Sequence, residues 1–231
     1  MFLTKRLFLL SFLVAFFISA EKVNCYDKNL SDFEIPENLY FHVYRNGTKI
    51  GYHSVEFSKS NNNLLNANVD IDFNVKFLGI NLYKYKHQNN EKWMYLNNNE
   101  NTTELRLISI RTKTNINNNI TDCNEKSDLY EKYIFPTSYW NSSFLRKDLS
   151  SLEVYNTQDC SFFNLMVKKL ADEKIYDRNL TASRYKLFGE TNQGNVLDID
   201  IWYDKTGKWV KMIFLKDGSE IKYILDEYHE K

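Results

Sequence analysis

Val69, Ile71, Phe73, Val75 and Phe77 alternate along the chain with Asp70, Asp72, Asn74 and Lys76. Val196, Leu197, Ile199 and Ile201 run against Asp198 and Asp200 in the same way. A period of two places one set of side chains on a core and the other in water, which is the pattern of a half-buried antiparallel strand. Residues 40–44 lead into Asn46-Gly47, a strong hairpin signal, and 50–57 return from it. The same reading predicts strands at 80–88, 91–96, 104–114, 152–156, 162–170, 183–189, 209–215 and 221–225. Thr206-Gly207 and Asp217-Gly218 mark the last two hairpin turns. Short polar loops between closely spaced strands predict a mainly β fold: a single antiparallel meander curled into an open or closed barrel. Helical signal is confined to 137–149, where Pro136 precedes the segment and Thr137 or Ser138 could cap it, and to a poorer stretch at 171–180.

The first twenty residues do not fit that pattern. Lys5 and Arg6 precede an apolar run from Leu7 to Ile18, and Ala20 supplies a small residue at its end. This is the layout of a secretory signal peptide cleaved near Ala20. The run is shorter than the roughly 20 residues a spanning helix needs. An uncleaved anchor stands as the alternative. The expected organisation is a signal peptide over 1–20, an extension over 21–36 and one β-sheet domain over 37–228. The product is expected to be periplasmic or secreted.

Cysteine use is consistent with such a compartment. Cys25, Cys123 and Cys160 follow the signal segment. Three pairings are open, and an odd count leaves one thiol over. A Cys123–Cys160 bridge is the favoured alternative to small, unbridged residues. No spacing supports a metal site or a redox pair.

Composition adds exclusions. The 231 residues carry 30 Lys+Arg and 30 Asp+Glu, so no basic excess points to nucleic acid. Aromatic residues make up 16% of the chain, enough apolar surface to argue against disorder. Gly and Pro number only 7 and 2, whereas asparagines crowd the gaps between apolar runs. Asparagine tolerates left-handed backbone and can do the turn work of glycine. The N-x-[ST] triplets of so asparagine-rich a chain are not read as glycosylation sites.

Several short blocks occur in a recognisable order. They are Val43-Tyr44-Arg45-Asn46-Gly47-Thr48-Lys49-Ile50-Gly51-Tyr52-His53, then Leu82-Tyr83-Lys84-Tyr85-Lys86-His87. Pro136-Thr137-Ser138-Tyr139-Trp140-Asn141 and Asn156-Thr157-Gln158 follow. Tyr185-Lys186-Leu187-Phe188-Gly189 and Trp202-Tyr203-Asp204-Lys205-Thr206-Gly207 complete the set. Over about residues 39–225 the chain resembles a family of exported alphaproteobacterial proteins known as domain of unknown function 6134. The resemblance implies an exported β-rich domain and assigns no activity. Two positions depart from the family pattern: Tyr139 stands where His is expected, and Cys160 where Gly is expected. The opening block also resembles, at the level of fold only, the half-barrels of bacterial outer-membrane lipoprotein carriers, which wrap a curved sheet around an apolar ligand. Fold likeness does not transfer function.

Candidate chemistry is thin. Ser138 with His42, His53 or His87 would be needed for a hydrolase (His229 lies in the tail), and no G-x-S-x-G elbow is present. His42 and His53 fall on one hairpin and could face each other across it, but no third metal ligand follows. The ordinary reading of these histidines is as partly exposed strand residues. Asp70, Asp72, Asp198, Asp200 and Asp204 read as the water-facing side of strands. Large amphipathic rings are the better hint, because they can line a groove and point a polar tip at a ligand. The candidate ligand-binding set is Tyr83, Tyr85, Trp93, Ser138, Tyr139, Trp140, Asn141 and Trp202. Residues 136–141 interrupt the strand pattern and are expected to close one end of a concave sheet.

The resulting expectation is a non-enzymatic, monomeric module that holds an apolar or amphipathic ligand such as a lipid, with no cofactor and no metal. A cell-envelope structural or protein-interaction module is the second reading, and a serine hydrolase centred on Ser138 the third.

Overall fold

Strands dominate because nearly every stretch between turns carries the two-residue alternation, and the turns are ones that tight hairpins demand. Asn46 and Gly47 both take positive φ, 46° and 80°, as do Asp217 and Gly218 at 49° and 71°. Two successive left-handed residues give the hairpin turn whose twist matches that of its strands. Asn117 and Asn118 (50° and 75°) do the same with no glycine, and Tyr176 and Asp177 (51° and 53°) take the same conformation after Ile175.

The computed structural model describes residues 34–61, 63–77, 80–97, 103–125, 133–146, 151–177, 180–191, 194 and 196–228. The signal segment, most of the extension, Cys25 and His229 lie outside these residues. The strands are β1 (Leu39–Arg45), β2 (Thr48–Asn61), β3 (Leu64–Phe77), β4 (Ile80–Asn97), β5 (Thr103–Ile116), β6 (Asn119–Glu125) and β7 (Phe135–Pro136). The remainder are β8 (Leu152–Tyr155), β9 (Phe162–Ile175), β10 (Leu180–Glu190), β11 (Val196–Asp204), β12 (Trp209–Lys216) and β13 (Ser219–Leu225). They form one sheet in the order β6-β5-β4-β3-β2-β1-β13-β12-β11-β10-β9-β8-β7. Two meanders, one running from β1 to β6 and one from β8 to β13, are joined where β1 pairs with β13, Phe41 opposite Leu225 and Arg45 opposite Ile221. Every pairing is antiparallel except the short parallel contact of β7 with β8. β6 and β7 are the edges, so the barrel-like sheet is open.

Several expectations are corrected. Residues 137–146 do not form an α-helix; a 3-10 turn over Ser142–Arg146 is their helical part, and 147–149 lie outside the described residues. Tyr139 takes a φ of 59°, which no right-handed helix admits, and the Thr137 N–H bonds the Tyr155 carbonyl, tying the segment to β8. Residues 171–180 continue β9 to Ile175 and turn into β10, because Leu180 to Ser183 offer ladder partners to Asp172 to Ile175. The strands read at 80–88 and 91–96 are one strand, whose asparagines at 89 and 90 stay in register with β3. β6 is a strand the sequence reading missed.

The two free edges meet through sulfur. Cys123 on β6 is disulfide-bonded to Cys160 in the turn between β8 and β9, with Cα atoms 6.1 Å apart. That spacing lies within the usual disulfide range. The bond crosses 37 residues of sequence and ties one end of the sheet to the other. Cys160 takes a φ of 66°, a left-handed conformation natural to glycine. Loop-closure entropy for a bridge of this span corresponds to about 4 kcal/mol of stability. Reduction, or Cys123→Ser, is therefore expected to lower the thermal midpoint by several degrees. A melting curve indifferent to reductant would show that the seam holds without the bond.

Candidate functional site

Glu91 organises the centre of the inner face. It is 1% exposed, on β4, with no cation beside it among the described residues. Its carboxylate instead accepts hydrogen bonds from Asn89 Nδ2 (2.6 Å), Trp93 Nε1 (2.8 Å) and Trp140 Nε1 (2.8 Å), and from the Ser138 hydroxyl. Burial pushes its pKa up, and the four donors pull against that push. This clasp pins residues 133–146 across one end of the curled sheet. Trp140 meets Phe57 of β2 at 4.8 Å between ring centroids and Trp93 of β4 at 5.2 Å. On the opposite wall, Phe144 meets Tyr203 of β11 at 6.3 Å, and the Tyr203 hydroxyl donates to the Tyr139 carbonyl at 2.7 Å.

Beyond this crossing segment the sheet encloses two adjoining cavities of about 570 and 450 Å³. The first is lined by His53, Ile71, Tyr85, His87, Tyr139 and Tyr223 among others, and the second by Ile50, Phe73, Val75 and Ile221. Ile71, Tyr83, Tyr85, Phe214 and Tyr223 border both, so they form one chamber with two lobes. Such volumes fall in the range of small-molecule sites.

The candidate residues divide sharply. Tyr83, Tyr85, Ser138 and Tyr139 line the chamber. Trp93 and Trp140 belong to the clasp and the core beneath it. Asn141 faces its own backbone turn, where its Oδ1 accepts from Ser143 N and Oγ. Trp202 is on the outer face, because alternation on β11 turns Ile201 and Tyr203 inward. There Trp202 donates to Glu173 (3.1 Å), with Lys211 Nζ 4.5 Å from its ring centroid.

The histidine pairing is corrected. His42 stands opposite Tyr52, and Phe41 opposite His53, so His42 and His53 point to opposite faces. His42 bonds Asp226 at 2.6 Å on the outside. His53 and His87 are buried rather than partly exposed, at 4% and 2% exposure, and both line the chamber. Their period-two position was legible in the sequence, but which face they shared depended on register. His87 Nδ1 bonds Thr114 Oγ1 at 2.9 Å. Ser138 is engaged by Glu91, so the chamber shows no serine–histidine couple. Among the described residues no group of three or more His, Cys, Asp or Glu could hold a metal ion. Asp70 and Asp72 face outward, Asp72 paired with Lys86 at 3.0 Å.

A family model described as Domain of unknown function (DUF6134) matches residues 41–226. No curated protein sequence matches the chain. Among solved structures, the chain is similar to a β-barrel-like protein of domain of unknown function DUF1849 from Brucella abortus. That likeness has 8% identity, covers 83% of this chain and 95% of that one, and gives a TM-score of 0.46. A DUF1329 family protein from Desulfovibrio piger aligns at 14% identity over 82% of this chain and 83% of its own, with a TM-score of 0.18.

Two consequences are measurable. Glu91→Ala leaves four buried donors without an acceptor and is expected to cost more than about 3 kcal/mol. Trp140→Phe keeps the ring contacts and removes one donor, for about 1–3 kcal/mol. Urea denaturation reports both, and an unchanged midpoint for Glu91→Ala would refute the clasp.

The second consequence concerns acid. Burial lowers His53 from 6.5 to about 3, with the His87 charge adding to the effect, and lowers His87 to about 4. Both groups bind fewer protons folded than unfolded, so their contribution is present above pH 6.5 and is lost as pH falls toward 4. Each removes about 1.4 kcal/mol per pH unit within that window. Glu91 has a raised pKa and works in the opposite sense, one group against two. Stability is therefore expected to decline from pH 6.5 to 4, and His53→Phe is expected to flatten the slope. An equal slope in the variant would remove His53 from the account.

Proposed function

The chain belongs to the DUF6134 family, and on that premise we propose that it is an exported, non-enzymatic binding module whose open barrel takes an apolar or amphipathic small molecule of the lipid class. The family description names no activity, so the reading starts from the chamber. The observation that carries it is the two-lobed cavity between the two meanders, large enough for a small molecule, with a first lobe that mixes polar and apolar side chains and a second that is mainly aliphatic and aromatic. Ligand chambers of this kind are mostly apolar with a few placed polar groups. Export is supported by the signal-like pattern of residues 1–20 and by the Cys123–Cys160 bond, which belongs to an oxidising compartment.

A second reading, an interaction module of the cell envelope, is favoured by one feature. Val196 and Leu215 on the wall of the first lobe and Leu82 on the second are 63%, 74% and 58% exposed. Exposed apolar side chains gathered around an opening suit contact with another apolar surface. The hydrolase reading loses ground, because Ser138 serves the Glu91 clasp.

Native mass spectrometry of the full chain from its own compartment separates these readings. The expected spectrum is a monomer carrying a small-molecule adduct that organic extraction removes. Ile71 borders both lobes, so Ile71→Trp is expected to abolish the adduct while far-ultraviolet circular dichroism stays β-rich. A bare monomer, or a complex with another protein, would overturn the ligand reading.

A further inference from the structure

The chamber gathers polar atoms that the protein itself leaves unbonded. Neither ring nitrogen of His53 has a hydrogen-bond partner. The ring is walled by Trp209 of β12 at 5.2 Å, Tyr223 of β13 at 5.7 Å and Phe41 of β1 at 6.1 Å between centroids. The Tyr85 hydroxyl is also buried and unpartnered, and its ring lies 6.2 Å from that of His87 and 6.4 Å from that of Tyr83. Tyr139 and Tyr223 line the same space. Buried polar groups are normally satisfied, and each exception asks for an explanation. Unpartnered atoms also occur away from the cavity, at Asn66, Asn89, Thr112, Asn141 and Tyr155, but those of His53 and Tyr85 belong to residues that line it, where a group brought from outside can satisfy them.

Resting on the ligand-binding reading above, we propose that this end of the chamber receives the head of a long-chain carboxylic acid, with His53 and Tyr85 as its hydrogen-bond partners and the aliphatic lobe around Ile71, Val75 and Ile221 as the seat of its chain. The phenols argue for an acceptor-rich head. Burial raises Tyr83, Tyr85, Tyr139 and Tyr223, so all four stay protonated and donate. A single negative charge fits better than a phosphate, which carries about −1.5 to −2 at neutral pH. Of the cationic side chains on the two lobes, Lys216 is exposed and Arg45 borders only the second.

A lone carboxylate buried against the neutral rings of His53, Tyr85 and Tyr223 must be neutralised. His53 and His87 are both neutral at pH 7, so binding takes up one proton, whether it rests on an imidazole or on the acid itself. The charged neighbours modulate this without replacing it. His87 on β4 opposes a charge on His53, whereas Asp70 on β3 favours a charge on His87. Glu91, on the same face of β4, is occupied by its four donors. Asp159 and Asp198 also line the first lobe, from the turn after β8 and from β11. Proton uptake makes affinity weaken about tenfold per pH unit above neutrality.

Isothermal titration of the delipidated full chain with dodecanoate and with 1-dodecanol, at pH 6, 7 and 8 in buffers of different protonation heat, tests this. Dodecanoate is expected to bind with uptake of about one proton and the tenfold pH dependence, and dodecanol with neither. Tyr85→Phe and His53→Phe are each expected to weaken dodecanoate about tenfold or more and leave dodecanol within about twofold. Equal binding of acid and alcohol with no proton uptake would reject the acidic head and keep the apolar chamber. Binding of neither, together with a bare monomer in native mass spectrometry, would sink both proposals.

Discussion

A buried carboxylate without a cation can persist only inside a shell of donors, and the shell around Glu91 is assembled from two separate parts of the chain. Asn89 and Trp93 come from β4 itself, two residues to either side and therefore on the same face. Ser138 and Trp140 come from the segment that crosses the end of the sheet. Satisfying one charge thus fixes where that segment lies. Once Trp140 is seated between Phe57 and Trp93, Tyr139 is turned the other way, toward Trp209 and the chamber. The left-handed backbone of Tyr139 is the local cost of reversing direction between neighbouring side chains. The clasp is at once the floor of the chamber and the reason the chamber has one.

The other constraint is the open edge. A curved sheet that stops short of closing leaves two rows of unpaired backbone groups, a standing invitation to pair with other chains. Here the outer strands are short, β6 with seven residues and β7 with two, so β8 covers only Phe162–Leu165 of β9 and β6 only Ile110–Ile116 of β5, and a disulfide ties β6 to the turn before β9. Cys160 and Tyr139 both sit at positive φ near this region. Each accepts an uncommon backbone conformation for what its side chain does, a covalent tie in one case and a chamber wall in the other.

Most of the sheet was legible in the sequence because alternation, turn chemistry and strand length agree there. The hairpins at Asn46-Gly47 and Asp217-Gly218 fall where two left-handed residues are easiest to supply. Legibility failed where a local pattern competed with a distant partner. Residues 171–175 are polar on both sides and read as helix, yet β10 supplies their hydrogen bonds, and Glu173 meets Arg184 at 3.1 Å. Residues 137–149 follow a proline with good caps, yet Glu91, distant in sequence, decides their course. Within the site, Tyr83, Tyr85 and Tyr139 could be found as aromatic rings in a β context. His53 and His87 could not be told from His42 by type, since only strand register turns one face inward. Trp202 misled for the same reason, being one residue out of phase with Ile201 and Tyr203.

Unpartnered polar atoms occur in the floor, at Asn89 Oδ1 and Asn141 Nδ2, as well as in the chamber, at His53 and Tyr85, but the charge in the floor is fully engaged. Under the crossing segment, Glu91, the two indoles and Ser138 bond one another, as a core requires. Beyond it, both nitrogens of His53 and the Tyr85 hydroxyl remain unbonded although the strands around them pair in full register. The unbonded nitrogens of His53 do not arise from poor packing, because three aromatic rings enclose the side chain. Phenylalanine in place of Tyr85, or leucine in place of His53, would have kept the apolar contacts and removed the desolvation penalty. The chain carries these costlier residues on the wall of the interior cavity.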